Sequence, residues 1–336
     1  MSEAPRRPPT SLDVARLAGV SQAAVSLVFS GKAQGHIATD TRNAVLSAAT
    51  QLGYRPNPAA RALRAGRSNI LALVATDIHH PFFASVLDGA ETAAHSVGYT
   101  MLLVNMRQME SDWKSTIARA LANHTVDGFI LFAHHDASRA DIEELGRKAV
   151  LIEASSASVP TLQLDIAGGF TAVLAHVLEL GHTRIAHLAA DYPSETFRVQ
   201  RRHYLGELTS RGLEPLETRA RFGLDEATAA ADRLLRHLPR PTAVVCDDDL
   251  LAAGVYRAAR QRNLRIPRDL SVTGFCDIEL ARELDPELTT VHIPAETIGA
   301  EAARLLIAWI EHGHQPASSA IIQLHFVERG STARRA

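Results

Sequence analysis

The sequence predicts two parts of different fold class: a small all-α head followed by a larger α/β body. The chain has 336 residues, more than one compact domain usually holds. Residues 1–67 contain nine basic and three acidic residues, a net charge of +6, which leaves −8 on the remainder. Apolar residues recur at helical spacing in the basic part, whereas strand-like and helix-like stretches alternate after it. A basic head on an acidic body indicates one module for a polyanion and another for a different ligand.

The composition excludes several classes of protein. Hydrophobic residues make up 46% of the chain and charged residues 21%, so the chain can bury a core. Two cysteines exclude a disulfide scaffold and favour a reducing compartment. No apolar run approaches the roughly 20 residues that span a bilayer, and the first ten residues lack the apolar segment of a secretory signal. We therefore expect a cytoplasmic protein without membrane partners.

The head is predicted to form three short helices. Thr10 and Asp13 have the spacing of a capping box, and Gly19 is a typical helix stop. Ser21 caps a second predicted helix, from Gln22 to about Val28, and Thr39 caps a third, from about Asp40 to Leu52. Two short helices joined by a tight turn predict a helix-turn-helix, whose second helix can enter the major groove of DNA.

The residues of the head resemble a known family. The matching stretches are Leu12 to Ser21, Ala24 to Ser26, Thr41-Arg42 and Leu52 to Asn57, in family order and spacing. They resemble the LacI/GalR family of bacterial transcription regulators. By this resemblance, residues 1–9 are a flexible tail, 10–56 the helix-turn-helix domain and 57–67 a hinge helix that orders on the operator.

The resemblance also implies which residues contact DNA. The base-reading positions are Gln22, Ala23 and Leu27 in the second helix, with Leu63 of the hinge as the apolar wedge in the minor groove. Leu27 stands where relatives often have Arg, and the loop from Gly31 to Ile37 is about two residues longer than usual, so the operator is expected to differ from the common family sequence. Backbone contacts are expected from Ser21, Ser26, His36, Thr39, Tyr54, Asn57 and Arg61.

Strand-like and helix-like runs alternate through the body, which predicts parallel sheets buried on both faces. No nucleotide-phosphate motif is present. The predicted strands are Ile70–Thr76, Met101–Met106, Gly128–Ala133, Val150–Glu153, Ile185–Ala189, Ala243–Cys246 and Val272–Cys276. The predicted helices are Phe82–Val97, Asp112–His124, Phe170–Leu180, Arg198–Arg211, Ala227–His237 and Leu250–Asn263.

The body carries the same resemblance, in motifs such as Asp77 to Phe83, Glu179 to Ala186 and Pro286 to Val291. It implies a periplasmic-binding-protein-like body of two Rossmann-like subdomains, spanning residues 68–332. The N-subdomain comprises about 68–163 and 294–317, and the C-subdomain about 164–292 and 318–332, with crossovers near Gln163, Ile293 and Ser318. The resemblance further implies a homodimer, with a tetramer left open, that binds a pseudo-palindromic double-stranded operator under the control of a small-molecule effector.

Ligands of open α/β sheets bind beyond the carboxyl ends of the strands, which sets the expected effector residues. They are His79, His80, Phe82, Phe83, Phe132, Glu153, Gln200, Phe222, Asp248 and Cys276. Gln200 occupies the place of an Arg that binds sugars in relatives, and Cys276 replaces one of two Asp residues. A sugar is therefore less favoured than in relatives, and the Phe residues with Glu153 suit a partly apolar or cationic effector.

The sequence leaves other functions open at lower weight. Sixteen histidines and two strand-end cysteines allow a metal or redox sensor, although CxxC and HxxxH spacings are absent. Asp247, Asp248 and Asp249 resemble a catalytic carboxylate cluster, but capping of a helix explains them better. A cytoplasmic small-molecule-binding protein with an inactive head is a further alternative. We expect a ligand-controlled repressor, bound to the nucleoid at its operator, with no cofactor, no metal and no enzymatic activity.

Overall fold

In a computed structural model, two compact units form, Met1–Ser68 and Asn69–Ala336. The structure describes residue 7 and residues 9–29, 37–55, 66–75, 77–105, 125–132, 149–153, 159–313 and 321–335. Most of the predicted hinge, the helix predicted at Asp112–His124 and the crossover predicted near Ser318 lie outside these residues. So do four residues predicted to contact DNA: His36, Asn57, Arg61 and Leu63.

The head folds into helices α1 (Ser11–Ala18), α2 (Gln22–Phe29) and α3 (Thr39–Leu52). The capping box at the start of α1 is confirmed: Thr10 accepts the N–H of Asp13, whose carboxylate accepts the N–H of Thr10. Gly19 ends α1 in the left-handed region, with φ 65°. Ser21 caps α2 as predicted, because its Oγ accepts the N–H of Ala24 at 3.2 Å.

The predicted cap of α3 is wrong by one residue. Ala38, not Thr39, is the N-cap, and its carbonyl oxygen accepts the N–H of Arg42 at 3.0 Å. Thr39 is therefore the first residue inside the helix, where its exposed side chain caps nothing. Val14, Val25 and Val45 form the centre of the small core that joins the three helices.

The described helices give little sign of a membrane span. No single one is long and apolar enough to cross a membrane. Helices α1 and α2 pass that test only as a pair, and they are bent by 108°.

The first sheet of the body has five parallel strands in the order β2-β1-β3-β4-β5. They are β1 (Ile70–Ala75), β2 (Thr100–Asn105), β3 (Gly128–Phe132), β4 (Ala149–Ile152) and β5 (Thr161–Leu162). Helix α4 (Pro81–His95) connects β1 to β2. Strands β1, β3 and β4 are buried almost throughout, which is typical of a parallel sheet covered on both faces.

The second sheet has four parallel strands in the order β7-β6-β8-β9. The chain enters it through α5 (Ile166–Glu179) and continues through β6 (Ile185–Ala190), α6 (Glu195–Ser210), β7 (Leu216–Ala220), α7 (Leu224–Arg236), β8 (Ala243–Cys246), α8 (Asp249–Gln261), β9 (Ser271–Thr273) and α9 (Leu280–Glu283). Both sheets were predicted as parallel, and both are confirmed.

The chain crosses between the two sheets near residues 163 and 293, where crossovers were predicted. At the first crossing the carbonyl oxygen of Gln163 accepts the N–H of Ile322, 2.8 Å away. The second follows an antiparallel pair, β10 (Thr290–His292) with β11 (His325–Val327), and leads into α10 (Ala295–His312). Strands β5, β7, β10 and β11 and helices α9 and α10 were not predicted.

Helices α4 and α10, which pack on the first sheet, approach each other very closely. A methyl group added at Gly89 of α4 would overlap the carbonyl oxygen of Glu296, and one added at Gly299 of α10 would overlap that of Val86. The two backbones therefore touch where glycine replaces a side chain on each helix. This contact fixes α10 to the first sheet, although the chain reaches it from the second.

Candidate functional site

A cavity of about 140 Å³ lies beyond the carboxyl ends of the strands of both sheets. The first sheet contributes side chains from the last residue of β3 and from the segments that follow β1 and β4. The second sheet contributes those that follow β6, β7, β8 and β9. This is the place at which parallel α/β sheets bind ligands. Its position between two sheets means that any occupant contacts both subdomains.

Eight of the ten predicted effector residues line this cavity. They are His80, Phe82, Phe83, Phe132, Glu153, Phe222, Asp248 and Cys276. His79 is exposed beside the cavity and does not line it. Gln200 is buried in α6 behind the wall, where its Nε2 donates to the carbonyl oxygen of Asp247 at 3.3 Å, while its Oε1 has no partner among the described residues. The side chain at the usual arginine position therefore supports the wall rather than forming it.

Asp247, noted from the sequence at the strand end beside Asp248, also lines the cavity. Eight further residues of the lining were not predicted: Asp77, Tyr192, Pro193, Ser194, Thr196, Phe197, Phe275 and Ile293. Five of them, from Tyr192 to Phe197, follow the carboxyl end of β6. The strand-end rule that selected Phe132 and Glu153 applies equally to β6, so this signal was present in the sequence.

Six aromatic side chains of the cavity wall form two groups. The first aromatic group, Phe82, Phe83 and Phe132, comes from the first subdomain, with ring centroids 4.9–5.6 Å apart and edge-to-face geometry. The second aromatic group, Tyr192, Phe197 and Phe222, comes from the second subdomain, where Tyr192 stacks on Phe222 at 4.5 Å. The His80 ring joins the groups, 5.0 Å from Phe222.

His80 and Asp248 form a hydrogen bond that spans the subdomains. The Nε2 of His80, at the start of α4, lies 2.9 Å from Oδ2 of Asp248, the N-cap of α8, and both side chains are buried. The Nδ1 of His80 accepts the backbone N–H of Phe82 at 3.2 Å, so in the neutral ring Nε2 carries the proton and donates to Asp248. Burial acts to lower the pKa of His80, but the Asp248 carboxylate outweighs it and the pKa lies above its usual value.

A second polar contact joins the subdomains at Glu153. The hydroxyl of Thr196, on α6, donates to Oε2 of Glu153, which follows β4. Glu153 adopts a left-handed backbone conformation, with φ 58°. Burial raises the pKa of the Glu153 carboxyl to about 6, because the Thr196 hydroxyl compensates the loss of water only in part.

Asp247 is held by a buried histidine. Its Oδ1 lies 2.6 Å from Nε2 of His187 on β6, and its Oδ2 accepts the N–H of Ala190. On its other side His187 faces Glu217, to which Arg201 donates at 2.9 Å. Burial opposes protonation of His187, but the two carboxylates prevail and raise its pKa to about 9. The imidazolium therefore neutralises Asp247 beneath the cavity floor.

Asp249 and the two cysteines are buried, and their surroundings indicate a structural role. Asp249 is buried, accepts from Thr290 and from the N–H of Ile278, and has its pKa raised to about 7 by burial and by the neighbouring Asp248. Cys246 and Cys276 are buried free thiols, and burial raises the pKa of each well above its usual value. Thiols held in the protonated form are poor nucleophiles and metal ligands. Within the described residues, no group of three His, Cys, Asp or Glu side chains is arranged to hold a metal ion.

The second helix of the head presents the predicted DNA-contacting residues. Ser21, Gln22, Ala23 and Ser26 are exposed, and Leu27 is partly exposed. Gln22 Nε2 donates to Oγ of Ser11 at 2.8 Å, which links the amino ends of α2 and α1. Tyr54, after α3, packs edge-on against Phe29 with the ring centroids 5.6 Å apart. In a helix-turn-helix, the second helix is the one that contacts bases.

Two family profiles match the chain. Bacterial regulatory proteins, lacI family, match residues 10–57, which include α1, α2 and α3. The periplasmic binding protein-like domain matches residues 174–332, which contain the second sheet.

The similar proteins are transcription regulators. The transcriptional regulator DegA of Bacillus subtilis is 34% identical over 88% of this chain and 89% of its own length. The transcriptional repressor CytR of Escherichia coli is 31% identical over 96% of each chain. Among solved structures, a CelR–cellobiose complex is 29% identical with a TM-score of 0.69, covering 96% of this chain and 99% of that one. The lac repressor dimer bound to operator and an anti-inducer is 23% identical with a TM-score of 0.85, covering 97% and 100%, and supports the fold.

Proposed function

Because the chain belongs to the lacI family of bacterial regulatory proteins, we infer that it is a DNA-binding transcription regulator, a repressor controlled by a small molecule in the cavity. The observation that carries this proposal is the combination of two parts in one chain. Helix α2, which is exposed, belongs to a basic head, and a partly open cavity lies at the strand ends of the body. Similar full-length proteins are named as repressors, among them PurR of Vibrio atlanticus, which is 32% identical over 90% of this chain.

The head is proposed to read the operator through α2. Gln22 can pair with adenine in the major groove, and Leu27 offers only apolar contact, for instance to a thymine methyl group. Ser21, Ser26, Thr39 and Tyr54 are proposed to contact phosphates, which position the head without reading sequence. Two heads of a homodimer would then bind the two halves of a pseudo-palindrome.

The body is proposed to couple the effector to DNA through the two contacts that join its subdomains. His80 with Asp248 and Glu153 with Thr196 both lie at the cavity, so a ligand that changes them changes the angle between the subdomains. An effector shifts a two-state equilibrium only by its difference in affinity for the two states. The protein is proposed to act in the cytoplasm. It is proposed to have no enzymatic activity, because helix capping accounts for Asp248 and ion pairing accounts for Asp247.

A selection of random duplexes against the purified full-length protein tests the proposal. The expected result is an enriched pseudo-palindrome whose two half-sites match two copies of α2. Gln22→Ala should change the preference at one symmetric pair of positions, whereas Arg265→Gln, on the body surface, should leave the selected sequence unchanged. Recovery of no enriched pseudo-palindrome, with and without metabolites, would instead favour a small-molecule-binding protein whose head does not read DNA.

A further inference from the structure

The ionisable side chains of the cavity lining are nearly all acidic. Asp77, Glu153, Asp247 and Asp248 contribute carboxyl groups, and His80 contributes an imidazole. No lysine or arginine is present in the described lining. An anionic effector would therefore meet carboxylates without a permanent cation to pair with, which is costly in a site that excludes water.

Asp77 already accepts the N–H of His79 through Oδ1, and among the other three carboxyl groups Glu153 is the one best placed for a ligand. Both oxygens of Asp247 are bonded within the protein, to His187 and to the N–H of Ala190. Both oxygens of Asp248 are bonded as well, to His80 and to the N–H of Leu250.

Glu153 differs in what its oxygens contact. Only Oε2 is bonded, to the hydroxyl of Thr196, and Oε1 has no hydrogen-bond partner among the described residues. Neither oxygen is paired with a basic side chain in the described part of the chain. A counter-ion stabilises a buried carboxylate, and a cation bound in the cavity would supply one to Glu153.

The wall of the cavity complements the same type of ligand. The first and second aromatic groups face the cavity from opposite subdomains. The negative faces of aromatic rings attract cations, and this attraction grows when water is excluded. Aromatic walls also bury the apolar part of an organic ligand.

The cavity lining offers few hydrogen-bonding groups for a polyhydroxylated ligand. Such a ligand requires several fixed donors and acceptors, whereas Ser194 and Thr196 are the two hydroxyl-bearing aliphatic side chains in the described lining. Thr196 is already bonded to Glu153, and Gln200 is turned away to the carbonyl group of Asp247. The lining therefore discriminates by charge and apolar area more than by hydroxyl pattern.

Resting on the proposed function, we propose that the effector is a small organic cation, with an ammonium group between the aromatic side chains and the carboxylate of Glu153. The Thr196 hydroxyl holds the carboxylate in place, so Thr196 is a positioning residue. The cation would bind at the Glu153–Thr196 contact, which connects the two subdomains, and would therefore change the angle between them.

Matched pairs of ammonium and neutral compounds test this proposal by calorimetry on the full-length protein. The pairs are choline with 3,3-dimethylbutan-1-ol, benzylamine with benzyl alcohol, and 1,4-diaminobutane with butane-1,4-diol. At least one ammonium compound is expected to bind about tenfold or more tightly than its neutral partner, a difference of about 1.4 kcal/mol. In Glu153→Gln this preference should disappear, whereas in Glu207→Gln, on the exposed face of α6, it should persist.

The outcomes separate this inference from the proposed function. If no ammonium compound is preferred over its neutral partner in the wild-type protein, the effector is not a cation, and the duplex selection still decides whether the chain is a regulator. If the preference is present but unchanged in Glu153→Gln, the cation does not pair with Glu153 and the proposal is wrong. If the preference depends on Glu153, the proposal holds whatever the result with DNA.

Discussion

The imidazole of His80 and the carboxylate of Asp248 are joined by a buried hydrogen bond of 2.9 Å, although 168 residues separate them in the chain. Each residue also caps a helix, His80 at the start of α4 and Asp248 at the start of α8. The bond therefore fixes the amino ends of two helices in different subdomains against each other. A change at this point reaches both subdomains.

Asp248→Asn is expected to lower the pKa of His80. Asparagine is an equally good N-cap, so α8 keeps its cap while the imidazole loses the negative charge that favours its protonated form. Titration of the His80 ring by NMR should show a pKa above 6.5 in the wild-type protein and a lower value in the variant. Asp269→Asn, at an exposed ion pair before β9, is the control and should leave the titration unchanged. An unchanged His80 in Asp248→Asn would mean that the two side chains do not interact in solution.

His187→Gln is expected to destabilise the protein by about 3 kcal/mol, because it leaves Asp247 buried without its counter-ion. Arg201→Gln removes a more exposed partner of Glu217 and should cost less than about 1 kcal/mol. Urea denaturation of both variants and the wild-type protein measures the difference. An equal loss of unfolding free energy in the two variants would show that the His187–Asp247 pair stabilises the protein no more than the exposed pair does.

The stabilisation from His187 should depend on pH in a defined direction. Its pKa is raised from 6.5 in the unfolded chain to about 9 in the folded protein, so the folded state binds more protons between these values. The stability advantage of the wild type over His187→Gln should be full below pH 6.5 and should decline as the pH rises through about 9. An advantage that grows across this range would contradict the assigned charge state.

Gly89→Ala is expected to destabilise the first subdomain by at least about 2 kcal/mol, because the new methyl group would overlap the backbone of α10 at Glu296. Gly206→Ala is the matched control in α6, where an added methyl group meets nothing within 4 Å. That change should raise stability by about 0.5–1 kcal/mol, since alanine is the better helix former. Thermal denaturation compares them, and a neutral Gly89→Ala would show that α4 and α10 separate easily.

Binding of an ammonium compound should weaken as the pH falls below about 6. The pKa of Glu153 is raised to that value, so acidification removes the charge that pairs with the ligand. His80 also titrates in the lining, and comparison with Glu153→Gln separates the two groups, because the variant keeps His80. Calorimetry from pH 5 to pH 7.5, with the ammonium compound that is preferred over its neutral partner, should give a decline that is present in the wild type and absent in the variant. The same decline in both proteins would assign it to His80 instead.

The buried parallel strands were the part of the fold that the sequence predicted best. The continuous apolar runs of β1, β3, β6 and β8 identified both sheets within one residue at most strand ends. Strand β9 ends at Thr273, earlier than predicted, because the chain then pairs with the segment of β10: the N–H of Cys276 donates to the carbonyl oxygen of Val291 at 2.9 Å. Strand β7 was missed because its sequence, Leu216–Ala220, is mostly polar and lies at a sheet edge.

The site was predictable where a side chain ends a strand or directly follows it, as for Phe132 and Glu153. It was not predictable where tertiary contacts decide the direction of a side chain. Gln200 was expected to contact the effector, but it bonds to the Asp247 carbonyl group and lies behind the wall. The partners of Asp247 and Asp248 come from β6 and α4, far away in sequence, so three adjacent aspartates gave no hint of their separate roles.

Coupling between cavity and head is the central claim, and operator affinity measured with and without a bound effector tests it most directly. The probe is the compound that stabilises the protein most in a thermal-shift screen of amines, sugars, nucleosides and amino acids, and the readout is the fluorescence anisotropy of the selected duplex. The predicted result is a change in the duplex Kd of about fivefold or more, matched by an equal change in effector affinity when duplex is bound. A saturating ligand that leaves the duplex Kd unchanged would contradict the account.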